Sequence, residues 1–223
     1  MNAGMIAVLT LSCLCWLSKS NAQHGFVSID SILHQAVLDP MYYGSENFVG
    51  DTIDGYYAKK ILLTREAASA LSRVEARLNK QGIGLKILDG YRPQIAVDHF
   101  VRWARDLSDT VEKSRYYPDI PKDQLFDRGY IAAQSGHSRG SAVDLTLFDL
   151  ETGIELEMGS IVDHFGPVSH PDCKEITEAR QKNRGVLREA MLKEGFAPLE
   201  TEWWHFYLEK EPFPDTYFTF PVK

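Results

Sequence analysis

The clearest pattern of hydrophobic and polar positions lies between Ser141 and Leu147, where the two kinds of residue alternate. A period of two is typical of a β-strand that turns one face toward the core. Asp144 would then point to the opposite face, where a functional site could lie. The apolar positions that would face the core are Val143, Leu145 and Leu147.

Two longer segments show the periodicity of amphipathic helices. Residues 64–81 begin at Thr64, which can cap a helix, and are followed by Gly82, which can end one. Residues 175–194 form a second such segment, with Gly195 just beyond it. The positions that recur on the inner faces are Leu71, Val74 and Leu78 in the first helix and Val186, Leu187, Ala190 and Met191 in the second.

The remaining elements are shorter. We expect strands at 85–88 and 202–208, a turn at 89–93, a helix at 94–107, a loop over 108–134 and an irregular proline-containing tail. Within the helix at 94–107, the apolar positions with helical spacing are Ile95, Phe100 and Trp103. Helices and strands follow one another without a repeating βαβ rhythm, and neither internal repeats nor linkers occur. The sequence therefore predicts one α+β domain.

The N-terminus has the pattern of a signal peptide. An apolar run from Met5 to Leu17 is too short for a membrane span, and Ser20–Ala22 forms a small-x-small cleavage site. We therefore expect a signal peptide at 1–22 and a mature domain at 23–223 that is exported, to the periplasm, without stable membrane association. The alternatives are a buried N-terminal helix and lipid attachment at Cys13.

The charge of the chain limits its partners. The formal net charge is −7 at pH 7, which argues against nucleic acid. It fits a protein that acts on a small substrate, without identifying that substrate.

Three side chains have the chemistry of a zinc site. His137 and Asp144 lie close in sequence, with Gly140 between them to permit a bend, and His205 follows much later. Two imidazoles and a carboxylate are ligands that zinc takes when a further position stays open for water. Glu202 stands near His205 and could act as a base on that water, so the set predicts metal-assisted hydrolysis. Taken singly, these residues would more often be a surface histidine, an acid at a strand end and a packed core histidine.

The same residues belong to longer motifs. The chain resembles the zinc D-alanyl-D-alanine dipeptidases, the group that includes the dipeptidase of vancomycin resistance, from about Asp39 to Lys223. The matching segments are Ser-x-His-Ser-Arg-Gly-Ser-Ala-x-Asp-Leu-Thr-Leu at 135–147, Glu-Trp-Trp-His at 202–205, Asp-Gly-Tyr-Arg-Pro at 89–93, Met-Gly-Ser-x-x-Asp at 158–163 and Phe-Pro-Val-Lys at 220–223.

The resemblance implies a small antiparallel sheet flanked by helices, as in hedgehog domains and D-Ala-D-Ala peptidases. It also implies hydrolysis of D-alanyl-D-alanine to two D-alanines, in cell-wall turnover or D-alanine scavenging, with one zinc ion per chain. The implied zinc ligands are His137, Asp144 and His205. Glu202 would be the general base and Arg92 would stabilise the oxyanion. The implied ligands of the substrate's ammonium group are Asp163, Tyr42 and Ser135.

Two other functions remain open at this point. A D,D-carboxypeptidase would trim D-alanine from larger peptidoglycan peptides and would need an open cleft rather than a closed pocket. A zinc-stabilised binding domain without activity would keep the ligands but lose the base or the cationic clamp. Since Glu202 and Arg92 are both present, the sequence favours an enzyme.

Overall fold

A mixed five-stranded sheet forms the centre of the computed structural model, which describes residues 25–223. The predicted signal peptide at 1–22 lies outside the described residues. The strands are β1 (Phe26–Ser28), β2 (Val37–Leu38), β3 (Leu62–Thr64), β4 (Ile83–Asp89), β5 (Ala142–Asp149), β6 (Phe196–Leu199) and β7 (Glu202–Leu208). The helices are α1 (Arg65–Asn79), α2 (Gln94–Arg105), α3 (Lys113–Tyr116) and α4 (Glu178–Lys193). Within residues 25–223, none of the helices is long and apolar enough to cross a bilayer.

The sheet has the strand order β2-β4-β5-β7-β6, and β1 and β3 pair separately. Its β4–β5, β5–β7 and β6–β7 pairs are antiparallel, as predicted, whereas the short edge strand β2 runs parallel to β4. The α+β prediction is confirmed. The register is important for function, because Asp89 of β4 lies opposite Asp144 of β5, which lies opposite His205 of β7.

Two apolar clusters cover the two faces of this sheet. The first lies between the sheet and helices α1 and α4, and it contains Leu71, Val74, Leu78, Val143, Leu145, Leu147, Leu187, Ala190 and Met191. The second is rich in aromatic residues from α2 and the loops, and it contains Tyr42, Phe48, Tyr56, Tyr91, Phe100, Trp103 and Phe165. The apolar set of β5 faces the first cluster, so Asp144 is directed toward the second.

Local sequence signals explain most of the helix boundaries. Helix α1 starts directly after Thr64, whose Oγ1 accepts a hydrogen bond from the Ala67 amide. Gly82 follows that helix with a φ of 75°, a conformation that suits glycine. Helix α4 begins later than predicted because Thr177 caps it, accepting from the Arg180 amide.

At the start of helix α2, the buried residues differ from those that the apolar spacing predicts. Ile95 is 41% exposed, and Ala96 and Val97 are buried instead. Ile95 and Phe100 are separated by five residues, about 140° around a helix, so they cannot share one face. The predicted loop at 108–134 contains helix α3 and a short turn at Lys122–Gln124.

The Thr64 cap predicts a measurable loss of stability. Its Oγ1 also lies 2.8 Å from the Ser141 hydroxyl in the interior. Thr64→Ala removes the cap and leaves that hydroxyl without this partner, so we expect the free energy of unfolding to fall by about 2 kcal/mol. Thr64→Ser keeps the hydroxyl and should recover most of the loss. Chemical denaturation of both variants checks this, and an alanine variant as stable as the parent would contradict it.

Candidate active site

The eight residues singled out from the sequence come together around one cavity of about 400 Å³. They are Tyr42, Arg92, Ser135, His137, Asp144, Asp163, Glu202 and His205. The cavity lies between the Asp144 face of the sheet and the aromatic cluster. Residues distant in sequence therefore form one site.

The three predicted metal ligands stand at the corners of a small triangle. His137 Nε2 lies 3.1 Å from His205 Nδ1 and 3.2 Å from Asp144 Oδ2. His205 Nδ1 lies 3.1 Å from Asp144 Oδ1. Ligands about 2.0 Å from a zinc ion at tetrahedral angles would be separated by about 3.3 Å. Within residues 25–223, no other three His, Cys, Asp or Glu side chains lie close enough together to hold a metal ion.

Backbone geometry fixes the ring of His137. The residue lies in a 3₁₀ turn, Gly136–Arg139, that ends at Gly140 with a φ of 82°. A β-carbon at Gly140 would collide with the Phe26 ring, so both conformation and space require glycine there. His137 Nδ1 lies 2.7 Å from the Gly90 carbonyl. Because a carbonyl only accepts, Nδ1 donates its hydrogen and Nε2 is left as the free ligand nitrogen.

Asp144 is ionised despite its burial. Burial alone would raise the pKa of its carboxyl, but the adjacent His137 and His205 lower it well below its usual range. One oxygen of this carboxylate faces His137 and the other faces His205, so both imidazole nitrogens and the carboxylate converge on one point. The donor set, its spacing and its charge thus fit a divalent metal ion held by these three side chains.

Glu202 lies beside the ligand triangle, with its Oε2 3.8 Å from His205 Nδ1. Simple alternation along β7 would place Glu202 and His205 on opposite faces. The strand avoids this because its pairing with β6 is irregular. Pro198 lies opposite Phe206, but the next residue of β6, Leu199, lies opposite Glu202, which is four positions away along β7. Burial raises the pKa of Glu202, as does the charge of Asp144, which favours a carboxylate able to take up a proton.

Arg92 is held over the cavity by contacts that the sequence did not reveal. Its Nε donates to Asp89 Oδ2 at 3.0 Å, and a terminal nitrogen lies 3.3 Å from Asp144 Oδ2. The other oxygen of Asp89 accepts from the Tyr56 hydroxyl at 2.8 Å. The guanidinium also lies 5.2 Å from the centre of the Phe100 ring. Asp89 and Tyr56 therefore fix the direction of a permanently charged donor.

Asp163, which the family resemblance implies as a ligand of the substrate's ammonium group, is buried in the structure. It is 6% exposed, and its Oδ2 accepts from the Tyr42 hydroxyl at 2.7 Å. Burial and the charge of Asp144 raise the pKa of Asp163 to about 8. Its φ is 62°, and it is the only non-glycine residue among residues 25–223 with a positive φ. Such a conformation at a cavity wall is typical of functional sites.

Ser135 lines the cavity, but its hydroxyl has a structural contact as well. Its Oγ accepts from the His137 amide at 3.3 Å and so caps the turn that carries His137. The Tyr42 hydroxyl, by contrast, connects two site residues, because it also lies 3.4 Å from a terminal nitrogen of Arg92.

Sequence reasoning missed two contributors to the site. The sequence gives Asp89 only as part of the Asp-Gly-Tyr-Arg-Pro motif and gives no indication of a role for Tyr56. A charged residue at the end of the apolar strand β4, three positions before Arg92, was a signal that could have identified Asp89. Tyr56 had no such signal, since its contact with Asp89 depends on the tertiary fold.

Comparison with known proteins agrees with this geometry. A family model described as D-Ala-D-Ala dipeptidase, peptidase family M15, matches residues 22–223. A D-alanyl-D-alanine dipeptidase of Streptomyces coelicolor is 45% identical over 197 residues, which are 88% of this chain and 98% of the relative.

Two further relatives carry the same description. One from Enterococcus faecalis is 44% identical over 90% of this chain and 99% of its own length. One from Enterococcus faecium is 41% identical over 89% of this chain and 98% of its own length. The chain therefore belongs to the D-Ala-D-Ala dipeptidase family of metallopeptidases.

Proposed function

We propose that this protein is a zinc-dependent dipeptidase that hydrolyses D-alanyl-D-alanine to two D-alanines. The observation that carries the proposal is the triangle of His137 Nε2, His205 Nδ1 and Asp144, with edges of 3.1 to 3.2 Å, in a cavity that also holds an acid and an arginine. Two imidazoles and one carboxylate suit zinc better than the harder cations magnesium and calcium. Zinc bound there would supply a Lewis acid that promotes ionisation of water and polarises a peptide carbonyl.

The residues around the triangle supply the rest of the chemistry. Glu202 takes the proton of the attacking water and later passes it to the amine of the departing D-alanine. Arg92 donates to the oxygen of the peptide carbonyl as negative charge develops on it. Asp89 keeps the guanidinium aimed at this position through the contact at 3.0 Å.

A free dipeptide is favoured over a longer peptide by the burial of Asp163. A buried carboxylate with a raised pKa is stabilised by a bound cation, and the ammonium of a dipeptide is such a group. The Tyr42 hydroxyl orients the carboxylate from one side, and Ser135 lines the same cavity. A longer chain brings a neutral amide to this position and cannot compensate the charge.

Asp163→Asn tests that assignment. The amide keeps the shape but loses the charge, so we expect KM for D-alanyl-D-alanine to rise by about tenfold or more, as expected for a lost buried charge pair. The change in kcat should be smaller. The parent should cleave N-acetyl-D-alanyl-D-alanine far more slowly than the free dipeptide, and the variant should discriminate less.

Assays of D-alanine release with the two substrates distinguish the dipeptidase from a D,D-carboxypeptidase. Equal cleavage of both substrates by the parent protein would reject the dipeptidase assignment in favour of trimming larger wall peptides.

We further propose that the protein is exported to the periplasm, where it recycles wall fragments or releases D-alanine for reuse. The proposal rests on the apolar run at 5–17 and the cleavage pattern at 20–22, and on a family match that begins at residue 22. Cell fractionation with N-terminal sequencing of the mature chain tests it. An uncleaved chain in the cytoplasm would contradict it.

A further inference from the structure

Arg184 of helix α4 is a buried cation, 4% exposed, and no acidic side chain pairs with it in the part of the chain described, residues 25–223. It donates instead to three backbone carbonyls, from Nε to Met158 at 2.6 Å and from the terminal nitrogens to His170 and Val168 at 2.8 and 2.9 Å. Burial lowers the pKa of Arg184 to about 10, so it stays charged at neutral pH. Burying a charged guanidinium without an acidic partner costs desolvation free energy, so Arg184 is expected to have a role beyond packing.

The three carbonyls belong to the two ends of one loop, Met158–His170, and Asp163 lies between them. The guanidinium therefore ties the start of the loop to its end. Gly159 permits the close approach: its φ is 97°, and a β-carbon there would lie 3.3 Å from a terminal nitrogen of Arg184 and 2.7 Å from Ile176.

A second set of contacts joins the same loop to the catalytic strand β7. The Arg184 guanidinium carbon lies 5.5 Å from the centre of the Trp203 ring, and Trp203 Nε1 donates to Ser160 Oγ at 2.9 Å. Ser160 contacts the Ser169 hydroxyl at 3.0 Å, and Ser169 donates to the His164 carbonyl at 2.6 Å. This series of contacts therefore joins two residues that are sequence neighbours of site residues: His164 directly follows Asp163, and Trp203 directly follows Glu202.

We propose that Arg184 is a positioning residue that holds the Met158–His170 loop, and through it the carboxylate of Asp163, at the ammonium end of the cavity. The inference rests on the proposed function of that site. Asp163 has a φ of 62°, a conformation that persists only where the surroundings enforce it. The bonds to both ends of its loop provide this enforcement.

The test compares Arg184→Lys and Arg184→Gln with the parent in zinc-loaded form. Glutamine has only two amide hydrogens, and lysine carries its three donors on one nitrogen, so neither reproduces the planar guanidinium whose three nitrogens each reach one carbonyl. We expect KM for D-alanyl-D-alanine to rise about tenfold while kcat changes less than about threefold and the zinc content is unchanged. A merely structural role would lower the melting temperature without this split between KM and kcat.

The matched control is Arg188, one turn further along α4, whose side chain is 43% exposed and pairs with Asp172 at 3.0 Å. Arg188→Lys and Arg188→Gln should leave KM as in the parent. If the glutamine variant at position 184 does not fold, the lysine variant decides. If neither folds, Ser169→Ala decides, because it removes one hydroxyl from the same loop and should raise KM in the same direction.

A double-mutant cycle with Asp163→Asn gives the sharpest result. If Arg184 acts through Asp163, its replacement should add little to KM once the carboxylate is gone. Additive increases, or a folded lysine variant with the KM of the parent, would overturn the inference. A parent protein that does not cleave the dipeptide would instead reject the proposed function, so the two failures are distinguishable.

Discussion

Replacing Glu202 by glutamine should lower kcat for D-alanyl-D-alanine by about a thousandfold, within the range that a general base contributes. The glutamine keeps the shape of the side chain but cannot take up a proton. The three ligand side chains are untouched, so the zinc content should remain near that of the parent. Steady-state kinetics together with metal analysis of the same preparation measure both quantities.

Glu200 provides the control for this variant. It is exposed and only two residues away, so Glu200→Gln changes the same charge without reaching the cavity. We expect it to retain the activity of the parent. If Glu202→Gln turned over the dipeptide at the rate of the parent, Glu202 would not be the base.

Replacing Arg92 by alanine should lower kcat by about a hundredfold or more, which is the usual cost of removing a preorganised donor to an oxyanion. The effect on KM should be smaller, because the guanidinium is needed most when charge develops on the carbonyl oxygen. The loss also leaves the buried carboxylate of Asp89 without its cationic partner, so folding needs a separate check by circular dichroism.

Arg92→Lys avoids much of that risk. It keeps the positive charge but lacks the planar set of donors that reaches Asp89 and Asp144 together. We expect an intermediate kcat. Arg102→Lys, at an exposed position of α2 that pairs with Asp54, should have no effect. Full activity in a folded Arg92→Ala protein would show that the oxyanion is stabilised elsewhere.

The sequence predicted the parts of this site that depend on local pattern and on chemistry. The alternation in β5 correctly placed Asp144 on the face away from Val143 and Leu145, because a strand has only two faces. The two imidazoles and one carboxylate indicated a metal site because few other functions combine these groups. Family resemblance supplied the roles of Arg92 and Asp163, which the residues alone did not favour.

Other features depend on contacts between distant segments and could not be predicted in this way. The irregular pairing of β7 with β6 brings Glu202 to the face of His205, contrary to simple alternation. The parallel pairing of the edge strand β2 with β4 and the bonds from Arg184 to the Asp163 loop likewise connect residues far apart in sequence. Only the folded arrangement shows which polar groups meet.

We propose that His137, Asp144 and His205 hold one zinc ion on which hydrolysis of D-alanyl-D-alanine depends. The most direct test measures D-alanine release by the purified mature protein before chelation, after chelation, and after zinc is returned. We predict about one zinc per chain at the start, loss of activity with the metal, and recovery on its return. Undiminished D-alanine release from protein shown to be free of metal would contradict the account.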